Sequence, residues 1–119
     1  MVTPRLSGFR ILLVEDEPLL AWELELALAA AGAVVVGPAS TLQSGCALAK
    51  ENGLSAAVLD FRLGDEEAGP LATLLYDKGI PFVIHTGHGT PASSWASAPV
   101  IRKPADPEAV VHIIASLLS

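Results

Sequence analysis

The chain has 119 residues, enough for one domain with a real core and too few for two, and it carries a formal charge of -6 with no basic run. That balance argues against direct nucleic-acid binding; and although 51% of the residues are hydrophobic and the mean hydropathy is +0.51, charges, prolines and glycines interrupt every apolar stretch before it reaches membrane-spanning length. A single cysteine, Cys46, excludes an internal disulfide, and the opening MVTPRLSGFR has no apolar signal block, so a cytoplasmic address is expected.

The first apolar run, RILLV, predicts a strand over Arg10–Val14. Pro18 suits a first helical turn, and LLAWELELALAAA continues to a stop at Gly32. AVVVGP is the second strand; Ser40 or Thr41 caps the next helix, TLQSGCALAKENG. SAAVLD is the third strand, ending at Asp60, and FRLGDEEAGP reads as a polar loop before a shorter helix around LATLLYDKG. IPFVIHT is the fourth strand, GHGTPASSWASAP a Gly-rich segment, PVIRK a short fifth strand, and the last helix runs on from Asp106. Strands alternating with helices imply crossovers and a parallel sheet covered on both faces, and VVV and AAVL have the continuous apolar character such burial demands. The expected fold is α/β: a doubly wound, five-stranded parallel sheet with five helices.

Ligands of such folds gather at the carboxyl ends of the strands. Glu15 and Asp16 follow the first strand, Asp60 ends the third, Thr86 the fourth and Lys103 the fifth. Carboxylates brought to one rim need a cation, and oxygen ligands with room for water suit Mg²⁺, with Mn²⁺ as an alternative. Zinc would want His or Cys, and only two histidines lie near. Beside such an ion an Asp can act as a nucleophile towards phosphorus.

VEDEP, LD at the third strand end, HTG at the fourth and KP at the fifth resemble the receiver domain of bacterial response regulators of two-component systems, over essentially the whole chain and in the family's order. The resemblance implies a CheY-like receiver spanning residues 1–119, a flavodoxin-like fold with the sheet in the order 2-1-3-4-5, and no output domain in this chain. Asp60 would be the phosphoacceptor, fed by a phosphohistidine of a sensor histidine kinase or phosphotransfer protein. Asp16 would be a direct Mg²⁺ ligand, Glu15 would act through water, and Arg62 would offer its backbone carbonyl. Thr86 looks like the switch hydroxyl and Lys103 like the phosphate-pairing lysine, before a Lys-Pro bond that is typically cis in the family. The output would be contact with a further protein, with no nucleic acid and no membrane, and the only chemistry its own phosphorylation and dephosphorylation. Ile84-His85-Thr86-Gly87 keeps the last two letters of the motif that marks the F-A-T-G subgroup.

The match has departures. Three residues before the lysine, where receivers place an aromatic that swings inward, stands Val100. Gly87, Gly89, Pro91 and Pro99 make a short or irregular fourth helix, so phosphorylation is expected to order that segment instead. Arg62 and His88, two beyond Asp60 and Thr86, flank the path of a hydrolytic water and should alter the phosphoryl lifetime in either direction. A phosphorylation-independent, receiver-like adaptor is the alternative function. A phosphatase of the haloacid-dehalogenase kind would want a second Asp where Arg62 stands.

Plainer readings stand beside these. Glu15-Asp16-Glu17 also suits a solvated helix start, and Glu17 is assigned there, outside the site. His85 and His88 lack a third nitrogen or sulfur ligand; His112 and Cys46 read as packing residues. On the first helix, Leu20, Leu24, Ala27 and Ala31 form the core stripe. Leu19, Trp22 and Leu26 form a second stripe, either more buried surface or a docking face, and Trp95 is a second contact candidate.

Overall fold

The computed structural model describes residues 5–87 and 98–119. Its elements in chain order are β1 (Arg10–Val14), α1 (Pro18–Ala30), β2 (Val34–Ala39), α2 (Leu42–Ala49), β3 (Ala56–Leu59), β4 (Arg62–Leu63), β5 (Glu66–Glu67), α3 (Gly69–Asp77), β6 (Phe82–Thr86), β7 (Val100–Arg102) and α4 (Pro107–Leu118). Five strands form a parallel sheet in the order β2-β1-β3-β6-β7, which is the expected 2-1-3-4-5 once β4 and β5 are set aside. Those two short strands pair with each other instead, as an antiparallel ribbon where the sequence reads as a plain loop.

Strand alternation divides the core. Leu12, Val14, Leu59 and Ile84 face α2 and α3, while Ile11, Leu13, Val58 and Val83 face α1 and α4. Thr41 caps α2 through a reciprocal bond with Ser44, and Asp106 caps α4 through the Glu108 N–H. The register of β1 on β2 slips between Leu12 and Val14, where Gly37 adopts φ +105 and a Cβ would sit 2.7 Å from the Leu13 carbonyl oxygen. Only glycine fits there. The Gly37–Pro38 and Lys103–Pro104 peptide bonds are cis.

Four helices stand among the described residues. The fourth of the five expected, with His88 and Trp95, falls in 88–97, outside them. On α1 the buried residues are Ala21, Leu24 and Leu28, with Leu20, Ala27 and Ala31 packed at their flank. The expected stripe was therefore displaced, because this helix is apolar on nearly every side and its sequence fixes no phase. Leu19, Trp22 and Leu26 are exposed, so the second stripe is surface. His112, expected to pack, is exposed on α4 with its ring 3.4 Å from the Arg5 guanidinium. No helix of the described residues is long and apolar enough to cross a membrane.

Candidate functional site

The sheet itself aims the polar side chains. β1, β3 and β7 each pair one residue past their ends, so the backbone of three site residues is locked: Glu15 N–H donates to Ala39 O, Asp60 N–H to Val14 O and Lys103 N–H to Thr86 O, at 2.8–2.9 Å. The Asp60 and Lys103 side chains open onto one cleft of about 170 Å³, lined by Asp16, Glu17, Asp60, Arg62, Gly64, Gly87 and Lys103. That is room for several waters, suited to a hydrated ion with a small oxyanion.

Lys103 is the hub. Its Nζ donates to Asp60 Oδ2 at 3.0 Å, Glu15 Oε2 at 3.2 Å and Glu17 Oε1 at 3.2 Å. Burial works against the ammonium, but the hydrogen bond to Asp60 and the Glu15 and Asp60 charges outweigh it and push its pKa up to about 12. It is a fixed cation at any physiological pH.

Glu15 is in the opposite position. It is 2% exposed, and burial first, with the adjacent Asp60 carboxylate second, pushes its pKa up to about 8. Its Oε2 accepts from the Glu17 N–H, while Oε1, though 3.2 Å from Lys103, is not aligned for any hydrogen bond. A buried carboxylate oxygen without a donor is the mark of a site short of positive charge. Asp16 differs again. Partial burial pushes it up, but the Gly64 N–H, donating to Oδ2 at 2.9 Å, helps hold it below the usual carboxylate range. Gly64 makes the turn of the β4–β5 ribbon at φ +65, a conformation that suits glycine, and the ribbon thus delivers a donor to the site.

Glu15, Asp16, Glu17 and Asp60 each place one carboxylate oxygen within 4.8 Å of the others, an arrangement that can hold a metal ion. The donor set is all oxygen, one lysine is shared by three of the four acids, and Glu15 Oε1 accepts no hydrogen bond, so a small hard cation fits. Asp60 is 5% exposed and its Oδ1 accepts from the Arg62 N–H at 3.3 Å. The Arg62 guanidinium turns outward to Glu67, 3.6 Å away across the ribbon. Thr86 is fully buried at the end of β6, next in the chain to Gly87 of the cleft lining. His85, on the other face of that strand, is buried too. Burial, then the Lys103 charge, hold its imidazole below its usual pKa.

Five residues assigned to the site from sequence thus meet at one cleft or beside it: Glu15, Asp16, Asp60, Thr86 and Lys103. Arg62 contributes its N–H and part of the lining, and His88 lies outside the described residues. Glu17 is a correction, since the structure draws it into the acidic cluster and onto Lys103. The reason is its backbone: at the N-cap of α1, with φ -88 and ψ 113, it makes no side-chain cap and swings its carboxylate towards the end of β7. Gly64 was also missed, although LGDE carried a turn signal.

No family model and no curated protein matches the chain. Solved structures do. SdrG from Sphingomonas melonis Fr1 is 36% identical over 97% of this chain and 98% of its own, with a TM-score of 0.81. The chain belongs to the response regulator receiver family. A CheY-like receiver domain protein from Methanospirillum hungatei JF-1 has a TM-score of 0.82 at 26% identity, covering 94% of each chain. The BeF3-activated conformation of SdrG, from Pseudomonas melonis Fr1, has a TM-score of 0.75 at 35% identity over the full length of both chains. Receivers are the signalling domains of two-component systems, and the strand-end acids and lysine of this one occupy the places that its sequence motifs imply.

Proposed function

We propose that this receiver accepts a phosphoryl group from a phosphohistidine onto Asp60, with Mg²⁺ in the acidic cleft, and signals by protein contact. The observation that carries the reading is the convergence of Asp60, Lys103 and three further carboxylates in one small cleft, with a buried Glu15 oxygen left without a donor. Asp16, Asp60 and the Arg62 carbonyl would hold the ion directly, with Glu15 acting through water. When bound, the ion supplies positive charge to the carboxylates and to the incoming phosphoryl oxygens.

The chain's own residues do the rest. One Asp60 oxygen attacks phosphorus, the P–N bond breaks, and its electron pair returns to the imidazole of the donor histidine. The Arg62 N–H on Oδ1 and Lys103 on Oδ2 fix the carboxylate before the attack. Lys103 then pairs with a phosphoryl oxygen. Thr86 starts buried, so its hydroxyl reaches the phosphoryl group only if the end of β6 shifts, and that shift is the switch. The exposed Leu19, Trp22 and Leu26 on α1 offer an apolar face to the donor's helix beside the cleft. On this reading the domain catalyses only its own phosphorylation and dephosphorylation, as a cytoplasmic protein.

The test is to incubate the protein with Mg²⁺ and a small phosphodonor and measure intact mass. An acid-stable, base-labile gain of one phosphoryl group, lost in Asp60→Asn, is expected. No gain under any donor would favour the phosphorylation-independent adaptor.

A further inference from the structure

We propose that Glu17 is a reserve partner of Lys103 that competes with the phosphoryl group for the ammonium, and so sets how firmly the phosphorylated form is held. The inference rests on the phosphoryl-acceptor reading and goes one residue beyond it.

A lysine ammonium has three N–H donors. Here Asp60, Glu15 and Glu17 take all three, at 3.0, 3.2 and 3.2 Å. A phosphoryl oxygen needs one of them, so a carboxylate must give way. The candidates differ in what release costs them. The Glu15 side chain is 1% exposed, and letting go would strand a buried carboxylate. Asp60 is the residue being modified, but its carbonyl oxygen stays buried and still needs a donor after transfer, so its bond to the ammonium is kept. The Glu17 side chain is 64% exposed, so water replaces the ammonium there with little penalty. The pair that yields is Glu17–Lys103.

The local backbone supports this assignment. A helix-starting acid would normally accept from the N–H groups of the first turn, yet Glu17 caps nothing. Its own N–H is tied to Glu15 Oε2, which holds the residue over the cleft while its carboxylate reaches Lys103. Glu17 is thus anchored at its backbone and releasable at its tip. Without its carboxylate, one Lys103 donor stands free before the phosphoryl group arrives. An exposed ion pair of this kind corresponds to about a two- to fivefold change in an equilibrium constant.

Beryllofluoride, the ligand of the activated SdrG structure, serves as the phosphoryl mimic. Its affinity for the full chain is measured with saturating Mg²⁺ by following amide resonances, alongside Mg²⁺ affinity alone. Glu17→Gln should bind beryllofluoride about two- to fivefold more tightly, with Mg²⁺ affinity changed less than about twofold. Glu17→Asp keeps the charge but loses about 1.5 Å of reach, so it should behave as Glu17→Gln does. An unchanged beryllofluoride affinity in Glu17→Gln overturns the proposal. So does a Glu17→Asp that matches the unaltered protein, because the effect is then general charge rather than the ion pair. A marked fall in Mg²⁺ affinity overturns it as well, by making Glu17 a metal ligand. If the unaltered protein binds no beryllofluoride, the phosphoryl-acceptor reading itself fails, a result distinct from all of these.

Discussion

Glu15→Gln probes the electrostatics of the cleft with a change of one atom. In the unfolded chain the Glu15 carboxyl titrates near its ordinary 4.5, and in the metal-free fold near about 8. The native state therefore binds the extra proton through that window. Stability falls as pH rises from the lower value to the higher, and the loss is complete above about 8. The full gap corresponds to on the order of 5 kcal/mol. Part of it is shared repulsion with Asp60, so we expect Glu15→Gln to recover about 2–4 kcal/mol in the charged range. The glutamine keeps an oxygen for the Glu17 N–H and removes only the charge. The assay is urea unfolding in a chelator at about pH 5, near the lower edge of the window, and about pH 8.5, beyond its upper edge. The variant should match the unaltered protein within about 1 kcal/mol at the lower pH and exceed it by the stated amount at the higher. Added Mg²⁺ should then stabilise the unaltered protein more than the variant at the higher pH. Stability curves that run parallel across the window would refute the claim that the cleft lacks positive charge.

Other outcomes follow from single contacts. Lys103→Met removes the cation that pairs with the transferred group, and phosphorylation by a small donor should slow about 100-fold or more, read from the rate of mass gain. Gly37→Ala places a Cβ 2.7 Å from Leu13 O and 2.8 Å from Ala39 N at a positive φ; it should cost about 2–4 kcal/mol in urea unfolding, and a loss below about 1 kcal/mol contradicts the strain. Burial pushes the Cys46 thiol up, so alkylation at neutral pH should run slower than for a free cysteine and recover in urea, and an unchanged rate on unfolding contradicts this.

The main sheet was legible because buried parallel strands write continuous apolar runs. The site was legible because Asp60, Thr86 and Lys103 each stand at the end or just past the end of such a run. What was not legible has local causes. The β4–β5 ribbon has two-residue strands, too short for any period, and rests on the Gly64 turn and the Arg62–Glu67 and Leu63–Glu66 pairing. The direction of the Glu17 side chain depends on Lys103, a residue remote in sequence, while its neighbours Pro18 and Leu19 signal an ordinary helix start. The phase of α1 was obscured by its apolar outer face, and that same face, exposed in the fold, is the candidate for partner contact. The depth of Thr86 and the outward turn of the Arg62 guanidinium are packing outcomes that no motif encodes.

The central claim is that Asp60 is the phosphoryl acceptor, and one chemical trapping measurement addresses it directly. The protein is phosphorylated with Mg²⁺ and a small donor, reduced with borohydride, and digested with trypsin. Cleavage after Lys50 and Arg62 isolates residues 51–62, ENGLSAAVLDFR, in which Asp60 is the sole aspartate. The account predicts reduction of Asp60 to homoserine in that peptide, dependent on Mg²⁺ and absent without donor. Label on any other carboxylate, or an unreduced peptide from protein that has gained a phosphoryl group, would contradict it.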